Sequence, residues 1–286
     1  MKLPALIFTV LSLSLFADES KPEVLQLWPD GKAPVAAGIH EKANSTLTVY
    51  RPAKPNGISV VICPGGGYAR VVGAEGAPIA KWLNSHGITG LVLNYRLPKG
   101  NPQRPLTDVR RALRLTKAHY LKWNLDPSKV GVMGFSAGGH LAAMAATKFT
   151  PGNDQSKDKV EQQDSRPNFA ILVYPVITMG EGTHAGSRQN LLGPKPNGDL
   201  IKLFSNERQV TTKTPPTFLA HAADDKPVPP LNSAMFHQAL QAKNIETKYL
   251  ELPSGGHGLN GYQGPMWEAW QKQSLEWLAD LCKDSK

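Results

Sequence analysis

The stretch whose reading decides the fold is Lys129-Val130-Gly131-Val132-Met133-Gly134-Phe135-Ser136-Ala137-Gly138-Gly139-His140-Leu141-Ala142-Ala143-Met144. Its first five residues form a short apolar run that reads as a buried strand, and 138–148 carries a helical pattern. Between them, residues 134–138 spell Gly-x-Ser-x-Gly. A serine hydroxyl is a weak nucleophile unless the backbone lifts it into a cleft beside a base. A strand, a sharp turn and a helix do this, and small residues on either side of the serine leave room for the strained turn. Ser136 is therefore the candidate nucleophile, and the fold around it should set a strand before it and a helix after it.

Working outward, strands and helices alternate from about residue 55. Ile58 to Cys63 and Phe169 to Tyr174 are near-continuous apolar runs, as expected of strands covered on both faces. Further strands are expected at 89–95, 217–221 and 247–250, with helices at 78–85, 232–243 and 266–282. Leu106, Val109, Leu113 and Tyr120 recur at helical spacing, marking a helix that stops before Pro127. This order predicts an α/β protein with a mostly parallel central sheet and helices on both faces. Two long polar or Gly/Pro-rich segments, 151–167 and 178–216, are expected to be loops, the second a lid-like insertion.

In open α/β sheets the reactive groups gather at the carboxyl ends of strands. His257, in Ser254-Gly255-Gly256-His257-Gly258, follows the strand that ends near Leu250 and is the candidate base. The other seven histidines lie mid-helix, upstream, in the 178–216 segment or, for His221, too early in the order. The acid comes from Ala223-Asp224-Asp225-Lys226-Pro227. Either carboxylate could accept the second imidazole proton; Asp225 is preferred and Asp224 is read as a turn former or supporting partner. Cys63-Pro64-Gly65-Gly66-Gly67-Tyr68 begins where a strand ends, and consecutive glycines expose backbone N–H groups without side-chain interference. With Ala137, Gly66 and Gly67 are the candidate oxyanion donors. No Gly-Lys-Ser/Thr follows the glycines, which excludes a P-loop. No metal-ligand spacing or cofactor fingerprint is present, so none is expected.

At these residues the chain resembles the α/β-hydrolases. It is similar to the esterase branch containing hormone-sensitive-lipase-like enzymes, and especially to bacterial acetylxylan-esterase and feruloyl-esterase-like proteins. The resemblance spans about residues 45–282. Besides the stretches above it rests on Asn94-Tyr95-Arg96-Leu97, Pro105-Leu106-Thr107-Asp108, Asp225-Lys226-Pro227-Val228-Pro229 and, less specifically, His184-Ala185-Gly186-Ser187-Arg188. It implies Ser136, Asp225 and His257 as nucleophile, acid and base, and acyl transfer from a small ester or acylated carbohydrate. Pro64 stands where hormone-sensitive-lipase-like enzymes commonly have His, which leaves main-chain donors unaffected. A prolyl-oligopeptidase-type peptidase shares the fold and triad but usually carries a large accessory domain, for which these 286 residues leave no room. A non-catalytic carbohydrate-binding protein would not need the full triad.

The remaining features bound the class. Lys2, the apolar run Leu3 to Phe16 and the polar turn at Ala17-Asp18 read as a secretory signal peptide over residues 1–17, leaving 18–286 as one domain that is secreted or periplasmic. No later segment approaches membrane-spanning length. Cys63 and Cys282 are too few for a disulfide framework and are expected as free thiols. The net charge is +9, but its bases are scattered. The one cluster, Arg110, Arg111 and Arg114, is expected to be a solvated helix face rather than a nucleic-acid surface.

Overall fold

The structure, a computed structural model, describes residues 21–283. The expected signal peptide lies outside the described residues. The chain begins with β1 (Glu23–Gln26), β2 (Lys32–Ala36), β3 (Ile39–Lys42) and β4 (Thr46–Tyr50). Then come β5 (Ser59–Cys63), α1 (Ala77–Ser85), β6 (Thr89–Asn94), α2 (Gln103–Ala118) and α3 (Tyr120–Trp123). The central part is β7 (Val130–Phe135), α4 (Ser136–Thr147), β8 (Ala170–Val173), α5 (Ala185–Leu192) and α6 (Gly198–Phe204). It closes with β9 (Thr217–Ala222), α7 (Leu231–Gln241), β10 (Thr247–Leu252), α8 (Leu259–Tyr262) and α9 (Gly264–Lys283).

Eight strands form one sheet in the order β1-β4-β6-β5-β7-β8-β9-β10. The six from β6 to β10 pair in parallel; β1 and β4 are antiparallel additions at one edge. Alternation along the central strands explains why they read as continuous apolar runs. Val61, Cys63, Val130, Val132 and Leu172 enter one core with α2, α4 and α7. Val60, Ile62, Met133, Phe135, Ile171 and Val173 enter the other with α1 and α9. Each fully buried aliphatic side chain contributes roughly 2 kcal/mol by leaving water. The mostly parallel sheet with helices on both faces is as the sequence predicts.

Strands also precede residue 55: β1 and β4 are short and half-exposed, so their burial alternates where the central strands' does not. Three expectations need correction. The 178–216 segment is not a structureless lid, because His184 and Asn197 side chains cap α5 and α6 within it. α2 stops at Ala118, so Tyr120 falls beyond its stripe and is 40% exposed. The arginine cluster is not a solvated face. Arg111 is 5% exposed and bonds Asp158 (2.6 Å) and Glu161 (2.7 Å), while Arg114 bonds Glu161 (2.6 Å), so α2 holds the polar 151–167 segment against itself. Both cysteines are free thiols, Cys63 buried and Cys282 half-buried.

Candidate active site

Ser136 sits between β7 and α4 with φ of 53°, a left-handed backbone that costs a residue with a Cβ roughly 1–2 kcal/mol. The flanking glycines are dictated by close approach. A Cβ on Gly134 would lie 2.1 Å from the Gly138 carbonyl oxygen, and one on Gly138 would lie 2.1 Å from that of Cys63. The turn is held from below by Phe135, whose ring packs against Trp267 at 6.2 Å and Trp270 at 5.6 Å in the second core. A strained serine on a rigid support is what a raised hydroxyl requires.

The structure brings Ser136, His257 and Asp225 into one line. Ser136 Oγ is 2.9 Å from His257 Nε2, and His257 Nδ1 is 2.7 Å from Asp225 Oδ2. Because a carboxylate only accepts, Nδ1 carries the ring proton and Nε2 is left to accept from the serine. Asp225 also accepts the Val228 N–H at 3.0 Å, and His221 Nε2 lies 3.2 Å from its Oδ2. Burial alone would raise the Asp225 pKa; the hydrogen bonds of His221, His257 and Val228 outweigh it and carry it down to about 2. Asp224 takes the supporting role, accepting the Gly256 N–H at 2.8 Å and so fixing the loop that presents His257.

The glycine loop is oriented from behind. In a trans peptide the N–H points opposite to the preceding C=O. The Gly65 carbonyl accepts from Val72 N–H, and the Gly66 carbonyl from Ala69 and Arg70, so the amides of Gly66 and Gly67 point the other way. The Ser136 carbonyl accepts from Val176 N–H, which turns the Ala137 amide likewise. Gly66 and Gly67 donate to no protein group among the described residues, and both line the cleft above Ser136. That cleft has a volume of about 370 Å³ and is also walled by Glu75, His184, Asn190 and Tyr262. A larger one, about 770 Å³, runs between Trp28, α2 and the 151–167 segment, but the guanidiniums of Arg111 and Arg114 there are already paired with carboxylates and it lacks a serine–histidine pair.

Several residues of the site have no role assigned by the sequence. His221, set aside as base because it comes too early in the order, stands beside the acid instead. His184 turns out to be a wall of the cleft. Its Nδ1 accepts from Ser187 N–H at 3.2 Å as the cap of α5, which leaves the ring proton on Nε2. Burial lowers its pKa, with the nearby His257 adding to the effect and Asp225 opposing it. Asn190 Nδ2 donates to the Gly67 carbonyl at 2.8 Å, tying α5 to the glycine loop. His140 packs inside α4 and is no candidate base: its Nε2 donates to the Phe204 carbonyl (2.8 Å) and its Nδ1 accepts from Tyr68 (2.9 Å). Glu75, with no motif around it, is buried beneath the cleft.

Similar proteins include esterases and a xylanase by name. The BD-FAE family model matches residues 47–240. An acetylxylan esterase of Xylanibacter ruminicola is 34% identical over 95% of this chain and 52% of its own. Endo-1,4-beta-xylanase B of Butyrivibrio fibrisolvens is 35% identical over 74% of this chain and 34% of its own. The chain thus spans about half the length of the first relative and a third of the second. The crystal structure of an acetyl ester-xyloside bifunctional hydrolase from Caldicellulosiruptor lactoaceticus superposes with a TM-score of 0.84 at 36% identity, covering 91% of this chain and 96% of that one. With a family model matched over most of its length and a solved relative matched almost end to end, this chain belongs to the BD-FAE family and has the α/β-hydrolase fold.

Proposed function

We propose that this protein is an exported serine carboxylesterase that removes short acyl groups, acetyl foremost, from an acylated xylan-type polysaccharide or its oligomers. The observation that carries the reading is the hydrogen-bonded line from Ser136 through His257 to Asp225 at the floor of a cleft rimmed by free amides. The acetylxylan esterase relative and the acetyl ester-xyloside hydrolase supply the substrate class. Export rests on residues 1–17 alone.

In this mechanism His257 Nε2 takes the Ser136 proton as Oγ attacks the ester carbonyl carbon. The charge that develops on the carbonyl oxygen is met by the Gly66, Gly67 and Ala137 amides, where losing one donor typically costs roughly 3 kcal/mol. Collapse breaks the bond to the sugar oxygen, which receives the proton from His257 and leaves as the alcohol. Water then attacks the acyl-serine with His257 again the base, releasing the carboxylic acid and restoring the serine. Asp225 holds the imidazole in the required tautomer and steadies its positive form throughout.

The test is acetate release from acetylated xylan and from p-nitrophenyl acetate by the full chain and by Ser136→Ala, with fluorophosphonate labelling alongside. Loss of both turnover and labelling in the variant is expected. Turnover at the parental rate by the variant would refute the assignment. Labelling with no release from xylan would keep the esterase and remove the polysaccharide.

A further inference from the structure

Glu75 takes no part in the chemistry just described, yet its carboxylate bonds three segments that frame the site. It is 3% exposed. Oε2 accepts the Gly65 N–H at 2.6 Å; Oε1 accepts the hydroxyls of Tyr174 at 3.0 Å and Tyr262 at 3.2 Å. Tyr174 sits edge-on to the His257 ring with centroids 4.9 Å apart, and Tyr262 ends the loop that carries His257. A methyl group added at Gly65 would lie 2.9 Å from Glu75 Oε2 and 3.0 Å from Ser136 Cβ, so carboxylate and nucleophile flank the same Cα.

We propose that Glu75 is a positioning residue for the esterase reaction: its carboxylate fastens the glycine loop to the His257 loop, and its charge favours the protonated imidazole that forms as Ser136 attacks. The inference rests on the proposed function above. All three of its partners present donors, and none is a cation, so its charge is held by dipoles in the resting site. Burial raises its pKa, against the pull of Gly65, Tyr174, Tyr262 and the charge of His257. An interaction that becomes favourable only when His257 is charged stabilises the transition state more than the ground state, which is the condition for accelerating a reaction. Tyr95 also faces Glu75, Arg70 lies near Tyr262, and Asp225 and His184 face His257. Asp225 supplies a hydrogen bond with its charge, whereas Glu75 acts on His257 through space and through the two tyrosines.

Glu75→Gln separates the two roles. Its amide oxygen can accept from Gly65 and its NH₂ can donate to the tyrosine oxygens, so shape and bonds are kept while the charge is lost. With p-nitrophenyl acetate and the full chain, kcat should fall about tenfold with KM within about twofold, and the acid limb of the kcat/KM profile should move down by about half a pH unit or more. Glu75→Asp keeps the charge and shortens the reach, so it should lower kcat without moving that limb. Thermal unfolding of each variant is measured first. If Glu75→Gln does not fold, Tyr262→Phe replaces it, with an expected two- to threefold loss of kcat. Parental kcat in Glu75→Gln, or in Tyr262→Phe where that stands in, overturns the proposal, and so does a reduced kcat in Glu75→Gln with an unmoved acid limb. These outcomes leave the esterase reading standing, because they require a parental enzyme whose turnover depends on Ser136. A parental chain that cleaves no ester overturns both.

Discussion

Among the described residues two aspartates are almost wholly buried, Asp108 at 0% exposure and Asp225 at 3%, and their surroundings give them opposite tasks. Asp108, on α2, accepts the Arg96 backbone N–H at 2.8 Å and the guanidinium through Nε and a terminal nitrogen, and it also accepts Trp28 Nε1 at 2.8 Å. Arg96 reaches onward to Glu41 on β3, so one ion-pair network clamps the N-terminal strands and α2 to the sheet. Asp225 is met instead by two imidazoles and a backbone amide. A guanidinium never gives up its proton in a protein, so Asp108 can only be a fixed counter-ion. An imidazole can exchange a proton with a serine on its far side, so Asp225 can direct chemistry. The same buried carboxylate is mechanical in one place and chemical in the other, and the partner decides which.

The sharpest way to break this contrast is Asp225→Asn. The new NH₂ donates to His257 Nδ1, which forces the ring proton to Nε2 and removes the acceptor that Ser136 needs. In serine triads the equivalent change leaves geometry intact and lowers kcat by about 10⁴-fold. We expect a loss of that order in ester turnover, with the fold retained and the melting temperature lowered by only several degrees, as a loss of about 2 kcal/mol implies. If turnover instead falls by less than about tenfold, Asp225 is as structural as Asp108, and the comparison collapses. Asp108→Asn should do the converse. Breaking a buried pair by removing one partner costs about 3–5 kcal/mol of stability, because Arg96 is left uncompensated. Denaturant unfolding should register that loss, while kcat per folded molecule stays within about threefold.

How much of this could be read in advance differs between the two regions. Ser136, Asp225 and His257 were legible because each stands in a short motif that its own backbone geometry demands: a cramped serine turn, a carboxylate after a strand, an imidazole among glycines. The central strands were legible because burial on both faces writes an unbroken apolar run. The Asp108–Arg96–Glu41 clamp was visible only as two motif fragments of a resemblance, with nothing to say that they bond each other. The Arg111 and Arg114 pairs were misread as a solvated face, since their carboxylates lie 47 and 50 residues away in a segment of no regular pattern. Glu75 left no trace, because its tyrosine partners are 99 and 187 residues distant. Short-range necessity leaves a mark in sequence, whereas a long-range bond leaves only two ordinary polar residues.

Acid sharpens the comparison further, through groups on the chemical side of it. His140, beneath the nucleophile on α4, has its pKa lowered by burial, with the Phe204 carbonyl opposing and Lys148 assisting, from 6.5 to about 4. The unfolded chain therefore takes up a proton that the folded one refuses, and this stability is lost as pH falls from about 6.5 through 4, amounting to about 3 kcal/mol. Asp225 follows in a lower window. Its folded pKa of about 2 lies below the ordinary 3.8, so its contribution is full above about pH 4 and lost as pH falls towards 2, about 2 kcal/mol more. Denaturant unfolding followed from pH 8 to pH 3 should show a first decline between 6.5 and 4 and a second that is still incomplete at pH 3. Asp225→Asn should shrink the second decline, to which Glu23, Glu41, Asp126 and Asp158 also contribute because each is held below the ordinary carboxylate range, and leave the first. If it leaves both unchanged, the hydrogen bonds from the two imidazoles and Val228 do not hold that carboxylate ionised, and the partner would no longer explain why Asp225 and Asp108 differ.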